Sequence, residues 1–370
     1  MCEAVRNTSE IVARGVVDSV ASAQQVVGHK GRVFDAAAAP AHCPTPGAIA
    51  TACEDGLVRV WQRPSAEDLL RVRACEKAAP KDEVLRVSWN NEGAVLACGG
   101  ADGGVHVWSA PAPFRIDEPT PRGPLKLKML DSFAHEGQCY VTDFDPSPHA
   151  PQQLFVGVEG DLYAWDCAVH RERYSVQIQS GEGDPSGEGA FISGAAMPSA
   201  SGPPVLGLAV SDGTVRILSR DTGEEVGMVS CCRDTQANCA SFSACGNHLA
   251  IGTNEGTVEI HDLRSTTSAL CEASTGLEMG QGPIYSVRWW PTAGPHNMVL
   301  SASFKGFVAV WEGHTGRLLA ATCKENFPIY GTALSEASQT SSSAELTLVG
   351  GTTGVFGTPF FSTQVDCSAI

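Results

Sequence analysis

The sequence predicts an all-β protein folded as a seven-bladed β-propeller. Three observations predict this fold: a glycine-centred hairpin that recurs seven times, apolar residues that alternate around each glycine, and a further apolar strand ahead of each hairpin. The turn glycines are Gly56, Gly103, Gly160, Gly213, Gly256, Gly306 and Gly354. Their spacings of 47, 57, 53, 43, 50 and 48 residues lie near the period of about 40–45 residues of four-stranded propeller blades with loop insertions.

The register around each glycine indicates strands. Two residues after the glycine, every repeat has an apolar residue: Val58, Val105, Leu162, Val215, Val258, Val308 and Phe356. Alternation of this kind is typical of a strand with one buried face. Asp precedes the glycine in three repeats, at Asp55, Asp102 and Asp212. Asp-Gly favours a tight hairpin because both residues tolerate positive φ.

The strand ahead of each hairpin, for example Val84–Trp89 or Ile284–Trp289, is interpreted as the innermost strand of a blade, which lines a central channel. An open ring would leave sheet edges available for aggregation. We therefore expect an N-terminal strand, within residues 10–24 or in the stretch up to Val27, to join the last blade. Residues 1–370 are predicted to form a single domain with a tail at 361–370 and blades at roughly 25–63, 80–110, 130–168, 188–220, 234–264, 280–313 and 326–360.

The repeats resemble those of the WD40 family. The segments that carry the resemblance are 49–61, 96–108 and 205–217, and the likeness extends over residues 25–360 without identifying a subfamily. In that family a buried network joins a His, a Ser or Thr, the turn Asp and a Trp. The resemblance implies that blade one has all four, in His29, Thr51, Asp55 and Trp61. It implies structural roles in other blades for Asp102, Trp108, His135, Trp165, Asp212 and Trp311.

Composition narrows the function. The chain has 370 residues, of which 43% are hydrophobic, and a net charge of −16. Such an acidic protein repels phosphate backbones and anionic membranes, so we expect neither general nucleic-acid binding nor membrane docking. A basic peptide or tail would be attracted. No stretch is long and apolar enough for a membrane helix or a signal peptide. We therefore expect reduced cysteines and an intracellular site of action, in the cytoplasm or the nucleus.

Motifs for catalysis are missing from the sequence. It contains no Gly-x-Ser-x-Gly, no His-Glu-x-x-His and no phosphate-binding Gly-Lys-Ser/Thr loop. The densest cysteine group is Cys231, Cys232, Cys239 and Cys245, with His248 nearby. Its spacing is not that of paired zinc knuckles, so buried thiols are favoured over a metal site. We predict no catalytic residue, no metal and no cofactor.

Partner binding is expected on the top face of the propeller. Loops before the inner strands and residues before the turns commonly contact partners in the WD40 family. The resemblance implies this use for Arg32, Phe34, Glu54, Glu83, Tyr140, Tyr285, Phe304 and Tyr330. Four of the aromatic residues fall on blades six, seven and one, which are neighbours in a closed ring. Alternatively, these rings pack into the channel or under loops.

The leading hypothesis is a non-catalytic scaffold or adaptor, one subunit of an intracellular hetero-complex that binds a peptide or protein on its top face. An alternative is an RNA-contacting component of a ribonucleoprotein complex, which would use the basic stretch Arg115–Lys128. An enzyme on a propeller scaffold is the least favoured reading. The segments 110–128 and 179–189 are interpreted as long loops, either partner-binding or merely tolerated insertions.

Overall fold

The computed structural model describes residues 13–21, 23–40, 42–43, 46–62, 70–79, 82–111, 124–150, 152–179, 190–199, 202–264, 271–273, 282–290, 297–324, 327–336, 343–351 and 358–366. Residues 13–21 are helical. The strands that follow form seven four-stranded sheets, numbered here in chain order.

Strand bounds are as follows. β1 is Gln24–His29. Sheet 1 contains β2 (Val33–Ala38), β3 (Ile49–Cys53), β4 (Leu57–Gln62) and β5 (Arg71–Lys77). Sheet 2 contains β6 (Val84–Trp89), β7 (Val95–Gly100), β8 (Gly104–Ser109) and β9 (Lys128–Ala134). Sheet 3 contains β10 (Cys139–Phe144), β11 (Gln153–Val158), β12 (Asp161–Asp166) and β13 (Arg171–Gln177). Sheet 4 contains β14 (Ile192–Ala196), β15 (Val205–Val210), β16 (Thr214–Ser219) and β17 (Glu225–Ser230).

Sheet 5 contains β18 (Ala237–Phe242), β19 (His248–Thr253), β20 (Val258–Asp262) and β21 (Cys271–Ala273). Sheet 6 contains β22 (Ile284–Trp289), β23 (Met298–Ser303), β24 (Phe307–Glu312) and β25 (Leu318–Cys323). Sheet 7 contains β26 (Ile329–Glu336), β27 (Ser343–Gly350) and β28 (Thr358–Asp366), and β1 pairs antiparallel with β28 as its fourth strand.

The turns show why the sequence forms hairpins. Gly56 adopts φ 73° between β3 and β4, a conformation that residues with a Cβ rarely take. The turn of sheet 3 differs from the prediction, because Glu159 rather than Gly160 takes the positive φ, at 50°. The residues around Gly354 lie outside the described ranges.

The seven inner strands surround a central channel. They are β2, β6, β10, β14, β18, β22 and β26; each packs against the next, and β26 packs against β2. A cavity of about 380 Å³ lies between them and is lined by residues from all seven strands. The inner strands that the sequence predicted are therefore in place, and the β-propeller fold is confirmed.

The apolar core lies between neighbouring sheets. One cluster joins sheets 3 and 4 through the fully buried Phe155, Leu162, Leu206 and Leu208. Because each sheet buries both faces against neighbours, no sheet has a core of its own, and burial of apolar surface stabilises the sheets together.

The predicted closing strand at 10–24 is wrong. Residues 13–21 form a helix whose buried face, Ala13, Val16 and Val20, packs in the cluster that joins sheets 6 and 7. Spacings of three and four residues place these side chains on one side of a helix, whereas a strand would bury every second residue. The strand that joins the last sheet begins at Gln24, opposite Ser362, so the alternative stretch up to Val27 contains its first four residues.

Two other boundaries differ from the predictions. Residues 361–366, predicted as a tail, belong to β28. Most predicted blade ranges end before the outer strand of the sheet, and the range that starts at 130 takes in part of β9, which belongs to sheet 2. Outer strands such as β13 bury little of either side, so their sequences lack the apolar alternation that marks the inner hairpins.

Candidate functional site

Four aromatic side chains meet at one rim of the channel. Phe34 comes from sheet 1, Tyr285 and Phe304 from sheet 6, and Tyr330 from sheet 7. Tyr330 is the centre: its ring centroid lies 5.6 Å from Phe34, 5.9 Å from Tyr285 and 5.8 Å from Phe304. These spacings are those of favourable ring pairs. We call this group the aromatic patch.

The aromatic patch is open to solvent on one side. Tyr285 is 37% exposed and Phe304 is 38% exposed, whereas Phe34 and Tyr330 are partly buried. Tyr285 and Tyr330 also line the channel cavity. Tyr285 and Tyr330 are therefore placed both to contact a partner and to pack into the channel.

Arg32 links the aromatic patch to two acidic residues. Its guanidinium lies 3.2 Å from Glu54 and 3.3 Å from Glu83, and its Cζ lies 5.1 Å from the centre of the Phe34 ring. Burial acts to raise the pKa of Glu54, but the backbone N–H and side chain of Arg32 outweigh it and hold that pKa below its usual value. Arg32, Glu54 and Glu83 are named here the Arg32 group.

Tyr140 lies apart from these residues. Its neighbour is Phe191, at 6.0 Å between ring centroids, and its hydroxyl bonds to Gln138. The structure thus brings together seven of the eight predicted top-face residues, and Tyr140 belongs to a separate aromatic pair beside sheets 3 and 4.

The channel wall has charged residues that the sequence analysis did not single out. Asp35, Arg86, Asp143 and Arg288 all line the cavity. Burial raises the pKa of Asp143 to about 7, although Arg288 acts to lower it. Asp143 keeps some exposure, because it faces the cavity rather than packed side chains. Each of these four residues lies on an inner strand, β2, β6, β10 or β22, where every second side chain faces the channel. That alternation could have indicated them.

The buried network of sheet 1 contains the four predicted residues and a fifth. Thr51 Oγ1 lies 2.9 Å from His29 Nε2 and accepts from Trp61 Nε1 at 2.8 Å. Arg59 links Asp55 to His29, bonding to His29 Nδ1 at 2.8 Å and to Asp55 at 2.8 Å. Burial, with the charge of Arg59, lowers the pKa of His29 to about 3.

The other predicted structural residues make different contacts. In sheet 6, Trp311 Nε1 donates to Ser301 Oγ at 2.8 Å, which resembles the Trp61–Thr51 bond. In sheet 4, Asp212 pairs with Arg216 at 2.9 Å, as Asp55 pairs with Arg59.

Sheets 2 and 3 depart further from the family's network. Asp102 accepts from the backbone of Gly104 in its own turn, and Trp108 is buried against His106. Trp165 donates to Asp131 rather than to a hydroxyl, and His135 stacks on Tyr163 with 3.8 Å between centroids. His135 and Trp165 are therefore not joined through a Ser or Thr.

The cysteines near sheet 5 are only partly as expected. Cys239 lies in β18, but Cys232 and Cys245 are exposed, so the prediction of buried thiols is wrong for those two. Both lie in connections outside the strands, where solvent reaches the side chain. The basic residues Arg115 and Arg122 and the segment 180–189 lie outside the described residues. Among the described residues, no helix is long and apolar enough to span a bilayer.

Comparisons with known proteins agree with these features. Residues 22–62 and 74–109 match the family model described as "WD domain, G-beta repeat". The Angio-associated migratory cell proteins of Homo sapiens and Pongo abelii are each 25% identical to this chain over 280 residues, which covers 73% of the chain. The match covers 56% of each relative's length, so the chain spans about half of those proteins. The predicted resemblance is confirmed: residues 22–62 and 74–109 match the WD40 repeat, within a chain that has a β-propeller fold.

Proposed function

We propose that this protein is a non-catalytic interaction scaffold, an adaptor subunit of an intracellular hetero-complex that binds a peptide or protein segment at the aromatic patch. The observation that carries the proposal is the convergence of four aromatic rings from three sheets beside the Arg32 group. Propeller domains of this family are typically interaction modules.

The chemistry of the patch suits protein recognition. Tyr and Arg are enriched in interface hot spots, where large rings supply contact area at a low cost in side-chain entropy. Tyr285 and Phe304 present exposed rings that a partner can bury, while Tyr330 supports both from beneath. Inner strands hold Phe34, Tyr285 and Tyr330, and Phe304 lies in the turn after β23, so the rings are already positioned and less entropy is lost on binding.

Charge favours a basic segment as the partner. The chain has a net charge of −16, and in the Arg32 group two carboxylates share one guanidinium. A Lys or Arg of the partner can bind the second carboxylate without displacing Arg32. The same net charge opposes a phosphate backbone, so a protein partner is favoured over nucleic acid.

We also infer that the seven sheets act as the blades of one closed ring. Pairing of β1 with β28 and packing of β26 against β2 support this inference. A closed ring keeps sheets 6, 7 and 1 adjacent, which the aromatic patch requires. Eleven cysteines of the described residues are free thiols, which supports a reducing, intracellular location, in the cytoplasm or the nucleus.

The test is affinity purification of partners from cell extract, with identification by mass spectrometry. We expect the double change Tyr285→Ala and Tyr330→Ala to remove a specific set of partners. Phe304→Ala is compared with Phe191→Ala, since both rings are 38% exposed but Phe191 lies by sheet 4. Loss with Phe304→Ala and retention with Phe191→Ala supports the site. An unchanged partner set for a folded double variant contradicts it.

A further inference from the structure

Three side chains of different chemistry converge at sheet 5. Glu259 and His261 lie on β20, and Cys232 lies on the connection between β17 and β18. Their ligand-type atoms, a carboxylate oxygen, a ring nitrogen and a thiol sulfur, all lie within 4.8 Å of one another. Glu259 is fully buried, His261 is nearly so, and Cys232 is exposed.

The equivalent positions in sheet 1 have different side chains, which shows that this combination of residues is unusual. Counting from the turn glycine, Glu259 occupies the position of Arg59, and His261 occupies that of Trp61. In sheet 1 the guanidinium of Arg59 supplies the positive charge beside Asp55 and His29. In sheet 5 the same position has a buried carboxylate, so the sign of the charge is reversed. A buried carboxylate is stabilised by hydrogen bonds and by a cation beside it.

The third residue, Cys232, also differs from the residue at the equivalent position of the first repeat. Cys232 lies five residues before β18, as Gly28 lies five before β2. A Cβ at Gly28 would lie 2.6 Å from Cη2 of Trp61, so sheet 1 has no room for a side chain there. The smaller ring of His261 leaves that room in sheet 5. Together the three changes place a thiol, an imidazole and a carboxylate where sheet 1 has a glycine, an indole and a guanidinium.

The distances suit a tetrahedral ion. Zinc binds His nitrogen and carboxylate oxygen at about 2.0–2.2 Å, which puts two such ligands about 3.3 Å apart. His261 Nε2 and Glu259 Oε2 are 3.1 Å apart. The backbone N–H of Cys232 donates to both oxygens of Glu259, at 3.0 and 2.9 Å, and so holds the carboxylate toward the cysteine.

We propose that Cys232, Glu259 and His261 form a binding site for a divalent zinc-like cation. The three protein ligands leave a fourth position for solvent, and the exposed Cys232 gives the ion a path of entry. Mixed sulfur, nitrogen and oxygen ligands select zinc, or cobalt as its spectroscopic substitute, over magnesium or calcium. Binding deprotonates the thiol and releases its proton to solvent.

The test uses the full chain, treated with a chelator, kept reduced and titrated with Co²⁺. We expect one equivalent to bind and to produce the charge-transfer absorption of a cobalt–thiolate bond, followed by displacement by Zn²⁺. Cys232→Ser should abolish that absorption and weaken binding by more than the 10–100-fold that loss of an outer-shell partner causes. The change is on an exposed residue, so the variant should fold, which circular dichroism checks.

Cys245→Ser is the matched control, because Cys245 is also exposed and lies between β18 and β19 of the same sheet. A hydrogen bond with Ser243 lowers the pKa of its thiol, so adventitious cobalt would favour it. The site is supported if the thiolate band survives Cys245→Ser but not Cys232→Ser. It is overturned if no thiolate band appears, if the band follows Cys245, or if His261→Ala leaves cobalt binding unchanged. If no thiolate band appears, Glu259 and His261 form an ion pair and bind no metal.

Discussion

Arg59 donates to Nδ1 of His29 across 2.8 Å in the interior of sheet 1. An arginine side chain has donors only, so Nδ1 must be the acceptor and the ring proton must be on Nε2. Nε2 therefore donates to Thr51 Oγ1 at 2.9 Å, which also accepts from Trp61 at 2.8 Å. One hydroxyl satisfies two buried donors, and the guanidinium determines the tautomer of the histidine.

Replacing that hydroxyl should be costly. Thr51→Val keeps the shape but removes the hydroxyl that accepts from the N–H groups of Trp61 and His29, and loss of such a buried acceptor costs about 1–3 kcal/mol for each donor. We expect a loss of about 2–4 kcal/mol in chemical denaturation. Ser301→Ala removes the acceptor of Trp311 alone and should cost about half as much. Thr51→Ser keeps the hydroxyl and should cost less than either; equal losses for all three variants would contradict the network.

The pH dependence of stability should report the buried histidine. The pKa of His29 falls from 6.5 to about 3 because of burial and the charge of Arg59. Between these values the unfolded chain binds a proton that the folded chain does not, so stability falls as the pH drops from 6.5 toward 3.

The variant His29→Gln should show a shallower acid loss, by about 1–3 kcal/mol over that range, given about 1.4 kcal/mol per pKa unit and incomplete expression of the shift. Urea denaturation at several pH values measures it. His149→Gln, on an exposed histidine, is the control and should keep the wild-type slope. A wild-type slope for His29→Gln would show that this ring is not neutral in the folded protein.

The sequence predicted local features of this protein better than distant ones. Turn glycines and alternating Val residues act over a few neighbours, so the inner hairpins and the aromatic patch could be located. The helix at 13–21 was missed because its apolar spacing, at Ala13, Val16 and Val20, was interpreted as a strand.

Position-by-position comparison between repeats would have found more. Arg59 and Glu259 occupy the same place after their turn glycines, but the opposite charges hid the equivalence. Residues such as Asp143 and Arg288 come from distant sheets and meet only across the channel. No short-range pattern contains that information, since it arises from the curvature of the whole assembly.

Asp143 should give the opposite pH dependence to His29. Burial raises its pKa from 3.8 to about 7, so between these values the folded chain binds a proton that the unfolded chain does not. Stability then falls as the pH rises through that window. Asp143→Asn cannot ionise, so its stability relative to wild type should increase from pH 4 to pH 7.

The gain has an upper bound of about 4 kcal/mol, at about 1.4 kcal/mol per pKa unit, and should be smaller because the channel admits water. Denaturation of both proteins at pH 4 and pH 8 measures it. Asp234→Asn, at an exposed aspartate, should show no such increase. A constant difference between Asp143→Asn and wild type at both pH values would mean that folding does not raise the pKa of Asp143.

Arg32→Met should change partner binding with little change in the stability of the fold. Its ion pairs with Glu54 and Glu83 are partly exposed, and such pairs contribute about 0–1 kcal/mol. We expect a thermal midpoint close to that of wild type, together with a pKa of Glu54 that returns toward its ordinary value. Partner capture should nevertheless change, since the charge beside the aromatic patch is inverted. A large loss of stability would assign Arg32 a structural role instead.

The pairing of β1 with β28 determines the order in which the sheets can be completed during folding. As the protein is synthesised, β1 leaves the ribosome early and its partner leaves more than 300 residues later. Closing so long a loop is entropically slow, so sheet 7 is completed last. Until then the flanks of sheets 1 and 6 expose apolar side chains, which makes the partly folded chain prone to aggregation.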